Sequence, residues 1–192
     1  MEILSKIFGG EIRVKIMRLF LFNHDISFDL PTIAEKVKED ISKVRKELSY
    51  MEKFGLLRKK VLNKNQAKFS LNRQFEYLSQ LQSFLINIKP LQPKEIVRKI
   101  SALGNIKLII IAGVFIQDEE SRIDLLVVGD NIKKSQIENT IAGLEAEIGK
   151  ELQYAYFTTA DFNYRFSMYD KLIRDILDFP HEKLINKIPL LA

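Results

Sequence analysis

Apolar residues recur at helical spacing from Glu11 to Phe22, where Ile12, Ile16, Leu19 and Phe20, joined by Val14, Met17 and Leu21, form a wide stripe. A mostly buried helix is predicted there. Asn23, His24 and Asp25 end it as turn formers, residues 28–30 read as a short extended piece, and Pro31 suits the first turn of a second helix reaching about Lys38. Ile33, Ala34 and Val37 are its inner face. After Glu39 and Asp40 a third helix carries Ile41, Val44, Leu48 and Met51 inward and stops near Gly55. Two strand-like runs, 56–62 and 67–71, then flank Asn63, Lys64, Asn65 and Gln66, which predicts a hairpin with a polar, basic tip.

Residues 74–88 place Phe75, Leu78, Leu81, Leu85 and Ile88 at helical spacing, with Tyr77 and Phe84 widening the stripe. They read as a connecting helix that offers a self-association surface and stops before Pro90 and Pro93. A helix over 94–103 precedes two runs, 107–113 and 123–129, that are apolar but for Lys107 and Asp124 and are expected as central strands covered on both faces. An amphipathic helix over 133–148, a strand over 152–157 and a helix over 160–179 complete the pattern. The expected class is α+β, with a domain over 1–73, a connecting helix and linker over 74–92, and an α/β domain with a small mixed sheet over 93–192.

Composition narrows the function classes. With 46% hydrophobic residues, 13 Phe, 8 Gly and 5 Pro, the 192-residue chain has the apolar mass for a packed core. Its longest apolar run, 108–115, is strand-length, so no membrane span is expected. The absence of Cys removes disulfides, thiolate metal sites and cysteine nucleophiles, and the start of the chain shows no signal-peptide pattern. A cytoplasmic protein is expected. Charge is divided: residues 1–75 hold 16 Lys+Arg against 9 Asp+Glu, a net +7, whereas the remainder nets −2. The basic part is the candidate polyanion binder.

On the third helix Ser42, Arg45, Lys46 and Ser49 fall at i, i+3, i+4 and i+7, with Lys43 beside them. Such a stripe suits the major groove, where Arg and Lys reach guanine or phosphate and Ser approaches either. Helix, helix, cationic helix and basic hairpin in this order resemble the winged helix-turn-helix of bacterial and archaeal transcriptional regulators. The matching segments are 12–22, 32–37, 41–54, Gly55-Leu56-Leu57 and 59–71. The resemblance implies double-stranded DNA as partner, a homodimer on symmetric sites, a recognition helix over 41–54, and a wing whose Lys59, Lys60, Lys64 and Lys68 touch backbone or minor groove. His24 has no second His nearby and reads as a turn residue; no metal site is proposed.

In the second half, a strand ending at Gly113, a polar loop, and the run 121–130 opening Ser121-Arg122-Ile123-Asp124 resemble the minimal nucleotidyltransferase domain of the DNA polymerase beta superfamily. That family ends its first strand in Gly-Ser to cradle phosphate and opens the second with Asp-x-Asp to hold two Mg²⁺. Here Val114 replaces the Ser and Arg122 the first Asp, leaving Asp124 alone; Glu151 is a further carboxylate near the next strand. Two-metal transfer needs several carboxylate oxygens around cations roughly 3.5–4 Å apart. The site is therefore expected to be inactive, with Asp124 and Glu151 structural, an ion pair at Arg122 and no cofactor. Residues 118–120, three adjacent acids, read as a solvated loop, and His181 as a surface or strand-start residue. The expected function is a DNA-binding regulator whose second domain serves dimerisation or the sensing of a nucleotide or protein effector. The alternatives are an active nucleotidyltransferase acting on a protein or small molecule, and a nucleotide-binding module without turnover.

Overall fold

The computed structural model describes residues 2–63, 66–86, 91–118 and 120–191. It is a mixed α and β structure with two sheets, of three and four strands, and the chain divides into two compact units. The first comprises residues 1–90 with 142–151, and the second 91–141 with 152–192. Residues 142–151 thus group with the first unit, whereas the reading by chain order places them with the second.

The first unit opens with α1 (Glu2–Phe8) and α2 (Glu11–Phe22), separated by Gly9 and Gly10 at φ +81° and +156°. α2 buries Val14, Ile16, Leu19, Phe20 and Leu21 almost completely. After the turn at Asn23, β1 (Phe28–Asp29) leads into α3 (Leu30–Val37), whose N-terminus is capped by Asp29 accepting from Thr32 N at 2.9 Å. α4 (Ile41–Lys53) follows, then β2 (Leu57–Asn63) and β3 (Gln66–Leu71), which form an antiparallel hairpin with β1 paired to β3. Phe28, Ile33, Val37, Val44, Leu48, Met51, Leu57, Phe69 and Leu71 close one core.

The connecting helix is shorter than its apolar spacing predicts: α5 is Leu78–Leu85. Asn72 explains the difference, because its side chain accepts from Gln74 N and its carbonyl from Phe75 N, holding 72–75 in turns. Ile88 and Pro90 lie outside the described residues. Among the described residues two cations of this unit are buried, Lys15, which pairs with Glu11 and Glu39, and Arg18. Arg18 is fully buried and donates to the carbonyls of Leu85, at 3.2 Å, and Glu147, at 2.9 Å. Gly149, at φ +88°, lies so close to α2 that a Cβ would stand 2.5 Å from Arg18 C.

The second unit contains α6 (Pro93–Ser101), β4 (Asn105–Ile111), β5 (Leu125–Asp130), β6 (Tyr154–Phe157), α8 (Thr159–Ser167), α9 (Lys171–Asp178) and β7 (Glu182–Asn186); α7 (Lys134–Ile148) precedes β6. The sheet order is β6-β5-β4-β7, with β5 and β6 parallel and the other pairs antiparallel. β4 and β5 are therefore central. Leu108, Ile110, Leu126 and Val128 join Phe162, Ile173 and Ile176 in one cluster, and Ile109, Ile111, Leu125 and Val127 on the other face are equally buried. The helix expected over 160–179 is two. Tyr169 adopts φ +55°, and Asp170 caps α9 by accepting from Leu172 N and Ile173 N, so the backbone turns there. β7, unanticipated, pairs with β4, and His181 stands just before it.

Candidate nucleic-acid interface

α4 owes its position to three kinds of contact. Val44, Leu48 and Met51 are at most 1% exposed and fix its inner face. Asp40 caps its start, accepting from Ser42 N at 2.8 Å and Lys43 N at 3.3 Å and from the Ser42 hydroxyl. At its end Gly55 takes φ +85°, Leu56 N donates to Met51 O, and Asn72 Nδ2 donates to Gly55 O at 2.8 Å. The last bond, with Asn72 N donating to Leu56 O, ties the far end of the hairpin to the exit of α4.

With its inner face sealed, α4 presents Ser42, Lys43, Arg45, Lys46 and Ser49 to water. No ion pair involves Lys43, Arg45 or Lys46 among the described residues. Glu47 of the same helix is drawn aside, because Arg13 Nε donates to its Oε2 at 2.7 Å while the guanidinium sits 4.2 Å over the Tyr50 ring. Asp40 and Ser42 are the residues that change the picture. The Ser42 side chain, then the backbone N–H groups of Ser42 and Lys43, hold the Asp40 carboxyl below its ordinary value. The Ser42 hydroxyl proton is thus committed to the cap, and its oxygen can only accept. An Asp just ahead of an apolar helical repeat is the sequence signal for such a cap.

On the hairpin Lys59, Lys60 and Lys68 are exposed, and Lys60 lies directly opposite Lys68 in the strand register. Lys59 Nζ stands 6.0 Å from the ring of buried Phe69. Lys64 falls outside the described residues. No Asp or Glu occurs between Glu52 and Glu76, so the hairpin's own sequence supplies no counter-charge.

The second group of predicted residues is brought together only in part. Gly113, Val114 and Asp124 meet. Asp124 is 6% exposed, and its Oδ1 accepts from Val114 N while Oδ2 accepts from Gln153 N, both at 2.8 Å. The carboxylate joins the turn after β4 to the segment entering β6. Arg122 pairs instead with Asp175 at 3.0 Å, a contact on the surface where the guanidinium is 68% exposed. Glu151 accepts from Lys36 Nζ at 2.8 Å within the first unit, and this bond lowers its pKa from the ordinary value. Asp175 and Lys36 carry no local signal naming them as partners. Among the described residues no group of three or more His, Cys, Asp and Glu side chains is placed to hold a metal ion. No described helix is long and apolar enough to cross a membrane.

No protein-family model, curated protein or solved structure matches the chain.

Proposed function

We propose that this protein is a DNA-binding transcriptional regulator: a winged helix-turn-helix with α4 as recognition helix and β2–β3 as wing, followed by a nucleotidyltransferase-like domain that carries out no transfer. The observation carrying this reading is the outer face of α4, where Lys43, Arg45 and Lys46 face water without an ion pair among the described residues. The bland reading of such a stripe is a solvated surface, but no acid stands among these three cations: Glu47 is turned to Arg13, and the exposed Glu52 lies toward the end of the helix. In a major groove these cations reach base edges and phosphates, while the lysines of the hairpin neutralise backbone.

The same proposal includes a homodimer. Ile7, Tyr50, Phe54, Phe75 and Tyr77 line a groove of about 400 Å³ beside α5, in which the sole charged lining residue, Arg13, is already paired with Glu47. An apolar surface whose one charged lining residue is already paired suits a second copy of this chain, and a two-fold dimer suits two half-sites on DNA. Support for the inactive second domain comes from Asp124, whose two oxygens accept from Val114 N and Gln153 N. Selecting bound duplexes from a random pool and sequencing them tests the proposal: an enriched inverted repeat is expected, and a pool that stays random overturns it.

A further inference from the structure

Two large apolar side chains stand in water near the tip of the hairpin, Val61 at 66% exposure and Leu62 at 51%. Val61 pairs with Ala67 and Asn63 with Gln66, so Leu62 is the unpaired residue of a bulge. Bulges re-aim side chains at functional edges, and an exposed apolar tip is otherwise an aggregation hazard. The surroundings are cationic. Lys60 precedes Val61 on the strand and lies opposite Lys68, a like-charge pair that destabilises an isolated hairpin. Asp29, the register partner of Lys68 on its other side, caps α3 and also faces Lys68 with its charge, so Lys60 is the cation of the pair that has no acid beside it in the register. Apolar residues bracketed by lysines, on a hairpin without acids, complement a surface that is anionic outside and apolar within.

We propose that Val61 and Leu62 form an apolar wedge that enters the DNA minor groove, Leu62 pressing against a base step while Lys60 and Lys68 hold the flanking phosphates. This rests on the DNA-binding reading above and adds a contact that is neither cationic nor confined to the backbone. Apolar wedges unstack a step and bend the duplex towards the major groove. An anionic membrane shares the polyanionic chemistry, but the aliphatic carbons of one Val and one Leu are fewer than those of a single myristoyl chain, which itself gives only marginal membrane binding. The duplex is the occupant these dimensions favour.

The test uses the full chain, the DNA recovered by selection, and the variants Leu62→Ala and Lys60→Ala. Leu62→Ala should melt like the parent, because the side chain is exposed, yet bind roughly tenfold more weakly and bend the DNA less in a fluorescence-transfer assay, with an unchanged salt slope. Lys60→Ala should flatten the salt slope by about one unit and keep the bend. If the parent binds and Leu62→Ala binds and bends equally well, the wedge is overturned and the DNA reading stands. If the parent selects no DNA, that reading fails and the wedge with it; vesicles of phosphatidylserine bound through Leu62 would then assign the tip to a membrane.

Discussion

Gly113 packs directly against Asp124: a Cβ on residue 113 would collide with Asp124 Oδ1. Gly113 also takes φ +52°, so it is glycine for two reasons, backbone conformation and the approach of a buried carboxylate. Asp124 in turn satisfies the N–H groups of Val114 and Gln153, from two separate segments.

Gly113→Ala should therefore destabilise the protein by about 3 kcal/mol, combining left-handed strain with displacement of a buried acceptor. Urea unfolding measures it. Asp124→Asn should lower the melting temperature too, because an amide NH₂ turned toward either backbone N–H loses that bond. An Asp124→Asn variant as stable as the parent would mean that the carboxylate is not structural.

On α4 the double variant Arg45→Ala, Lys46→Ala should weaken DNA binding by roughly 2–6 kcal/mol if each side chain makes a good base or phosphate contact. Both are exposed, so the melting temperature should hold. Parental affinity in a folded double variant would remove α4 from the interface.

These two sites differ in how far the chain's pattern discloses them. The stripes of α2, α3 and α4 and the continuous apolar runs of β4 and β5 are legible because one period or one run is buried wholesale. α1 is not legible in the pattern, although Ile3, Leu4, Ile7 and Phe8 lie ahead of a Gly9-Gly10 break, because 7 residues give too few repeats of a period. β7 is a five-residue strand of half-buried and exposed positions that shows no long apolar run. The break at Tyr169 is hidden for another reason: the apolar spacing continues through it, and Asp170 acts as a cap instead of a helical residue. Side-chain partners such as Asp175 for Arg122 and Lys36 for Glu151 depend on tertiary placement, which no periodicity carries.

The Asp40 cap gives a pH dependence with a definite sign. Its folded pKa is depressed, so its stabilisation is present above the ordinary 3.8 and is lost as pH falls through the folded value. Asp29, depressed chiefly by Thr32, acts in the same window. The melting temperature should fall as pH is lowered below about 4, and Asp40→Asn, which keeps a capping oxygen without the charge, should flatten that limb. An identical acid limb in the variant would show that Asp40 does not contribute to it.

Arg18 presents the opposite case, a charge held by carbonyls. Burial pushes its guanidinium below the ordinary value, and Leu85 O and Glu147 O accept from it. Arg18→Ala leaves those carbonyls without this donor and opens a cavity, so a loss of about 3–5 kcal/mol is expected in urea unfolding. A loss below 1 kcal/mol would show that water or rearrangement replaces the guanidinium at little cost.

The last expectation concerns transfer chemistry. In a working two-metal site the carboxylates must turn their oxygens to cations, but Asp124 turns both of its oxygens to backbone N–H groups and Arg122 lies with Asp175. Val114 N–H, a group that could otherwise meet phosphate, is spent on Asp124. Labelled nucleoside triphosphates with Mg²⁺ or Mn²⁺ and cell extract should accordingly give no transfer above background. The double variant Val114→Ser, Arg122→Asp replaces the missing hydroxyl and carboxylate without freeing Asp124, so it too should bind no nucleotide in a thermal-shift titration. Binding regained by that variant would show that Asp124 can turn outward, and transfer by the unmodified protein that disappears in Asp124→Asn would replace the regulator reading with an enzyme.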